Sequence, residues 1–427
     1  MNIEKLTAYH AHVREDKEKL IAAAGVDKAQ LLSAPEFVKV LENLGITVET
    51  KISATGNEIP AIAKSDEFLT DLLEHPDPAV QAVVAARLGA KSTLDEARCE
   101  RLLAIARLPW HIAGLPAGSM PIPLKYAGAH THRLSGDWKI NAQNLPRGGE
   151  LREALEAPSG YKVVSGDLSK IEALLTSWLT RAAIFQTFKD GGDPYCVMAS
   201  EIFGRPITKA DEVERFVGKS AVLGLGYGLG RENFFIKTSA AARLQGLDVG
   251  EMWTQELADR TVTTYRRVNY ATKNFWGLLD GHLQRAWAGL APPATVGPVT
   301  IGHGYVEGPG GLRMLYDVSD NEQSAEIWYS YAGRKRKIYG ASFLENLIQF
   351  LARILLMNAA MRLNATRIPF LRMIHQVHDE LILVVPDRYV EKAKIILHAE
   401  LVKPPSWAPD LPLKADVGSG QNYGQAK

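Results

Sequence analysis

Cysteine is nearly absent. Only Cys99 and Cys196 occur in 427 residues, which excludes a disulfide framework or a cysteine-rich zinc cluster and fits a reducing cytosol. Excess charge of one sign is also lacking: 49 Lys and Arg stand against 48 Asp and Glu, a formal net charge of +1. A nucleic-acid binder usually carries a basic excess, so this balance argues against one unless the cations are segregated locally. No run of roughly 18 apolar residues is present, so no membrane span is expected. The opening MNIEKLTAYHAHVREDKEKL is charged throughout and has no apolar signal core, so a cytoplasmic protein without a membrane partner is expected. What is there is ordinary for a soluble globular chain. The sequence is 46% hydrophobic and 23% charged, with length for two or three packed units.

Residues 1–45 read as helical and polar, and ATGNEIPAIAKSDEF as a connector punctuated by Gly and Pro. In AVVAARLGAKSTLDEARCERLLAIARL the apolar positions recur every three or four residues, which predicts helix from 67 to about 108. Residues 116–146 are loop-rich. YKVVSGD predicts a strand, after which Ile171, Leu174, Leu175, Trp178 and Leu179 share one helical face. A mixed helical region runs on to about residue 289. AEIWYSYAGRKRKIYG predicts a hairpin, with the basic run 334–337 read as its solvated tip rather than as a grip on phosphate. A helix from 342 to about 363 follows.

Three stretches carry chemistry. IHQVHDELILVVP, residues 374–386, reads as two strands joined at His378. Within one regular strand Asp379 and Glu380 would face opposite ways, whereas in a tight hairpin turn both can approach one point. The alternative is a polar turn joining two core strands. VVSGDLSKIEALL places Asp167 at a strand end, with Glu172 one turn into the next helix. Asp167 is either an N-cap or half of an oxygen-rich site that suits Mg²⁺ and phosphate. ERFVGKSAVLGLGYGLGREN is full of Gly-x-Gly, but Leu229 stands where a dinucleotide fingerprint needs glycine. It reads better as a helix with Arg215, Lys219, Leu223 and Tyr227 spaced four apart on one stripe. Two cations one turn apart suit a triphosphate; the alternative is a solvated basic face. Gly218, Gly224 and Gly226 each cost about 1 kcal/mol inside a helix, which points to a bend or a close approach.

Together these stretches resemble, in order and kind, the three signature motifs of family A DNA polymerases. DLSKIE is similar to the first motif, RFVGKSAVLGLGYG to the second and QVHDE to the third. THRLSG, NAQNLP, AKST and the tail DVGSGQNYGQAK extend the resemblance from about residue 47 to the end, and GGDPY and SFLENLIQ are closest in style to phage members. The implied fold is α+β, a right hand with a helical thumb at 67–115, a palm with an antiparallel sheet at 116–172 and 291–427, and helical fingers at 173–290, after an N-terminal segment at 1–66.

The resemblance also implies roles. Asp167 and Asp379, with the Leu168 carbonyl, would hold two Mg²⁺ ions, Mn²⁺ being able to substitute, and Glu380 would support them. Arg215 and Lys219 would bind the triphosphate, with Lys219 as proton donor to pyrophosphate. Glu172 would exclude a ribose 2′-hydroxyl, with Tyr227 packed beside it. Arg133, Gln143, Asn144, Gln349 and His378 match positions that touch the primer–template minor groove, and Glu345, Gln349 and Arg353 form a polar helix stripe suited to facing DNA. The implied partners are primer–template DNA and deoxynucleoside triphosphates, with room for a processivity or exonuclease partner protein. Leu223 stands where the family carries Phe or Tyr, Leu168 where it carries Tyr and Lys170 where it carries Gln. About 66 residues precede the thumb and contain no Asp-x-Glu strand motif, so 3′–5′ exonuclease activity is not expected. Two rival readings are a single-subunit RNA polymerase or primase-like enzyme, and an inactive DNA-binding scaffold.

Overall fold

The computed structural model describes residues 1–53, 56–64, 66–110, 119–319 and 326–426; the expected thumb–palm boundary at 115/116 lies outside them. The chain forms two compact units. The first comprises Met1–Pro121, Trp138–Ile140 and Leu145–Glu156, and the second Ile122–Asp137, Asn141–Asn144 and Ala157–Lys427.

The first unit is helical. Helices Ile3–Ala24, Ala34–Asn43, Pro78–Lys91 and Leu94–Ala106 make up most of it. The helical run expected from residue 67 is broken, because Asp77 caps a new helix that starts at Pro78 and accepts the Ala79 N–H at 2.8 Å. Proline fits the first helical position because it has no N–H to satisfy there. Arg87 is 1% exposed, stacks 4.5 Å over the Phe37 ring and donates to the carbonyls of Leu31 and Ser33. A buried guanidinium is tolerated where backbone carbonyls accept its protons.

The second unit is built round a four-stranded antiparallel sheet. Strand β1 (Tyr161–Leu168) is followed by helices α1 (Ile171–Thr180), α2 (Pro194–Phe203) and α3 (Glu212–Leu225). Helix α4 (Gly340–Ala365), strands β2 (Arg372–Val377) and β3 (Glu380–Pro386), helix α5 (Val390–Leu401) and strand β4 (Ala415–Gly420) complete the frame. The sheet order is β2-β3-β1-β4. Residues 381–385 are all buried, which explains why LILVVP reads as a continuous apolar run rather than an alternating one. Gly166 lets α5 lie close on β1: a β-carbon there would stand 2.6 Å from Leu401 Cδ1.

Helix α4 is long and apolar enough on average to cross a membrane, although Glu345, Asn346, Gln349 and Arg353 interrupt its apolar run. Its apolar window is 72% buried inside the fold, and Phe343, Leu347, Phe350 and Leu351 are wholly buried, so it is a core helix. The expected hairpin is present as strands Ile327–Tyr331 and Arg334–Ile338. Its tip is Ala332–Gly333, both at positive φ, the backbone that two-residue hairpin turns require. The basic run 334–337 is therefore not the tip. It is the exposed edge strand of a three-stranded sheet.

Candidate functional site

The hairpin expected at His378 is present. Val377 and Glu380 pair across a two-residue turn of His378 and Asp379, with His378 at φ +28°. Strand β1 runs antiparallel to β3, so Asp167 lies opposite Glu380, and the Leu168 N–H donates to the Asp379 carbonyl at 3.0 Å. Residues distant in sequence thus meet at neighbouring strand ends. Asp416 of β4 faces Asp167 from the other side. Cross-strand partners share a face of the sheet, so carboxylate-bearing residues from three strand ends gather there.

The adjacent acids are not equivalent. Glu380 is 1% exposed and accepts from the hydroxyls of Ser165 and Tyr423, the latter at 3.0 Å. Asp379 occupies the turn itself. The idea that both acids approach one point is corrected to this extent: Glu380 is held inside by two hydroxyls.

The cationic stripe is shorter than expected. Helix α3 ends at Leu225, so Arg215, Lys219 and Leu223 lie on it and Tyr227 does not. Tyr227 follows in the turn, where its hydroxyl lies 3.1 Å from Thr176 Oγ1. Burial, with Glu172 adding, pushes its phenol well above the ordinary range. Gly218 supplies the close approach that the glycines suggested. A β-carbon there would overlap the Tyr195 carbonyl and lie 2.9 Å from Ala199 Cβ, so α2 and α3 touch backbone to backbone.

Arg215 donates from Nε and Nη2 to one Asp193 oxygen, at 3.0 and 2.7 Å. Burial pushes the Asp193 carboxyl up, but the Arg215 guanidinium and the Tyr195 N–H outweigh it and hold it below the usual range. Tyr195 carries Arg215 and Lys170 each 5.5 Å from its ring centre. Burial, then Asp193, push its phenol up to about 12, with Glu172 and Asp379 contributing. That coupling places Tyr195 electrostatically between the acids and the cations.

Glu172, in the first turn of α1, forms an ion pair with Arg133. His378 is half-buried; burial, then Arg133, lower its pKa, opposed by Glu172. Glu345 is raised by burial and by Glu172. The expected DNA contact at Gln143 is corrected: the side chain is 4% exposed and donates to the Gln376 carbonyl at 3.1 Å, so it braces the hairpin. Gln349 accepts from Thr131 at 3.2 Å and donates to Glu345 at 3.1 Å. Asn144 is exposed. The expected DNA-facing stripe on α4 is corrected at Arg353, which is 5% exposed and donates to the His132 carbonyl at 3.1 Å and to Tyr126 at 2.6 Å. Its guanidinium fastens the loop that carries Arg133.

The sequence model of DNA polymerase family A matches residues 3–273. The chain belongs to DNA polymerase family A. Among relatives, it is 29% identical to the DNA polymerase of Bacillus phage SP02 over 293 residues, covering 62% of this chain and 42% of that protein. It is 27% identical to DNA polymerase I of Pseudomonas aeruginosa over 396 residues, covering 90% and 37%. With the thermostable DNA polymerase I of Thermus thermophilus it shares 25% identity over 427 residues, covering 98% and 44%. The chain thus spans less than half the length of these curated relatives. A solved structure of the POL domain of Pol1 from M. smegmatis, in complex with DNA primer-template and dNTP, matches with a TM-score of 0.72 at 20% identity, covering all of this chain and 67% of that one. The fold class is accordingly the α+β right-hand polymerase fold.

Within this family A chain, sequence reasoning passed over several residues of the site. Asp193 and Tyr195 lie in GGDPY, whose Asp-Pro step is a helix-start signal; Asp193 caps α2 through the Tyr195 N–H at 3.0 Å and also holds Arg215. Asp416 and Tyr423 lie in the tail DVGSGQNYGQAK. No local pattern marks Ser165, which is recognised only by its hydrogen bond to Glu380.

Proposed function

We propose that the chain is a template-directed DNA polymerase that adds deoxynucleotides to a primer 3′-hydroxyl. The observation that carries this reading is the 3.0 Å hydrogen bond from Leu168 to Asp379, which sets Asp167 and Asp379 at adjoining strand ends. Hard carboxylate oxygens on fixed backbone are the donor set that Mg²⁺ takes alongside phosphate, so the residues fit the metal. Asp167, Asp379 and the Leu168 carbonyl would hold two such ions, Mn²⁺ substituting, which when bound acidify the attacking hydroxyl and neutralise triphosphate charge.

The protein's own groups do the rest. Arg215 exchanges Asp193 for phosphate oxygens, Lys219 donates a proton to the departing pyrophosphate, and in-line positioning supplies most of the remaining catalysis. Glu172, steadied by Arg133, occupies the space of a ribose 2′-hydroxyl. Arg133, Asn144, Gln349 and His378 face the primer–template minor groove, where acceptors differ little between base pairs, whereas Gln143, 4% exposed, braces the hairpin from inside. The M. smegmatis neighbour holds primer-template and dNTP, which supports the same ligands here. Thumb, palm and fingers are assigned as the family resemblance implies.

Primer extension with Mg²⁺ tests the reading. Extension that stops on chelation is expected; absence of extension with DNA binding intact would favour the scaffold. Glu172→Ala should raise ribonucleotide incorporation relative to deoxynucleotide by about 10²-fold, the scale of selectivity that steric exclusion gives. Wild-type preference for ribonucleotides would favour the RNA polymerase reading.

A further inference from the structure

A cavity of ≈ 570 Å³ opens beside the site. Its wall begins at Ser169 and Lys170, directly after the Asp167–Leu168 strand end, and includes Asp193, the acid that holds Arg215. Lys209, Lys414 and His398 lie on the same wall. No role assigned above uses these three residues.

Three lysines on one wall favour an anion. The acids on that wall are already engaged: Asp193 accepts from Arg215, and Asp416 accepts from the Ser169 hydroxyl. Lys414 Nζ donates to the Gly191 carbonyl at 3.3 Å. Gly191 sits at φ +75°, and a β-carbon there would lie 3.2 Å from that ammonium, so the bare glycine leaves the lysine its seat. Lys170 is held in the left-handed region at φ +54°, a conformation rare outside glycine and common at functional sites. Its ammonium lies 5.5 Å from the ring centre of Tyr195, the ring that Arg215 also covers at 5.5 Å. Cations therefore run from the triphosphate residue Arg215, through Lys170, into a cavity edged by Lys209 and Lys414.

We infer that this cavity receives inorganic pyrophosphate as it leaves Arg215. The inference rests on the polymerase reading above. Pyrophosphate is small and strongly anionic, and it is released where the cavity begins. Loss of a charge-assisted contact weakens such binding about tenfold.

The test is product inhibition of primer extension by added pyrophosphate, together with calorimetric titration of pyrophosphate into the free protein. Lys209→Gln combined with Lys414→Gln should raise the inhibition constant and the calorimetric Kd at least about tenfold, with the KM for deoxynucleotide unchanged. Lys209→Arg with Lys414→Arg should restore both. Inorganic phosphate should inhibit at least about tenfold more weakly than pyrophosphate. Unchanged constants in the Gln variant, or equal inhibition by phosphate, would overturn the assignment. A wild type that does not extend primers removes the polymerase reading instead, and the calorimetry then decides the cavity alone.

Discussion

Asp167 and Asp379 stand at the ends of adjacent strands, whereas Arg215 and Lys219 project from a helix. Backbone register places the acids: β1, β3 and β4 pair residue by residue, and the Leu168–Asp379 hydrogen bond closes the end. Arg215, on a long side chain, is held by its ion pair with Asp193. The acid end is therefore preorganised in the sense that lowers a barrier without reorganisation. On the proposed reading, the cationic end would break its ion pair with Asp193 to take phosphate. On the same reading, one half of the site is rigid because metal ligands would tolerate little displacement; the other is exchangeable because a triphosphate would have to arrive and a product to leave.

Substitutions that attack each end separately should break this comparison in different ways. The largest effect belongs to the acids. Asp379→Asn keeps the turn but removes a charge, and primer extension should fall at least about 10³-fold, equivalent to some 4 kcal/mol of barrier, with the melting temperature nearly unchanged. A loss below tenfold would show that Asp379 is not essential to the site.

Next comes the contact that seats the cationic helix. Gly218→Leu has no room against the Tyr195 carbonyl and should cost about 2–3 kcal/mol of stability by overpacking, measured by chemical denaturation. An unchanged midpoint would mean that α2 and α3 are less closely packed than described. Asp193→Asn should lower the KM for deoxynucleotide about fivefold, since a charged hydrogen bond that competes with the ligand is worth roughly 1 kcal/mol at a partly exposed site. A higher KM instead would recast Asp193 as the group that positions Arg215.

A pH prediction concerns the loop that carries Arg133. His130 packs edge-on against Tyr316 and Tyr331, with ring centres 4.5 and 4.8 Å apart. Burial, with His132 and Arg336 adding, brings its pKa down to about 4. Because the folded pKa lies below the unfolded value of 6.5, the unfolded chain binds the extra proton more readily. Stability should be flat above pH 6.5 and fall as pH drops from there towards 4. Thermal melts of the wild type and His130→Phe across that range check this; a variant with the same slope would exclude His130 as the source. The smallest effect is at Leu223, which is 38% exposed on α3. Leu223→Phe should lower the KM for deoxynucleotide about twofold to fivefold through added stacking area, on the scale of aromatic contacts; an unchanged or higher value would count against it.

Local chemistry carried much of this in the sequence. A buried apolar run interrupted by His-Asp-Glu can hardly be other than two strands and a turn, and an acid after YKVVSG marks a strand end. The order of the motifs named the family because each is a short contiguous word. Helix α3 was legible as a helix, but its end was not: Gly224 and Gly226 could equally have continued it, and only the fold set the last turn at Leu225, leaving Tyr227 to bond Thr176 instead. The basic run 334–337 looked like a tip because cations tolerate turns as readily as edge strands.

What the sequence alone determined is the set of chemical groups and the local frame that holds each: the strand before Asp167, the turn at Asp379, the helix under Arg215. The tertiary structure alone decided their company. Pairing between β1, β3 and β4 brings residues 167, 379 and 416 to one sheet end, and the contact of α2 with α3 supplies Arg215 with Asp193. The packing of the 126–133 loop on α4 turns Arg353 inward. Local sequence carries backbone preference through neighbours a few residues apart, whereas partners more than two hundred residues away are chosen by register and packing, which no short window of sequence contains.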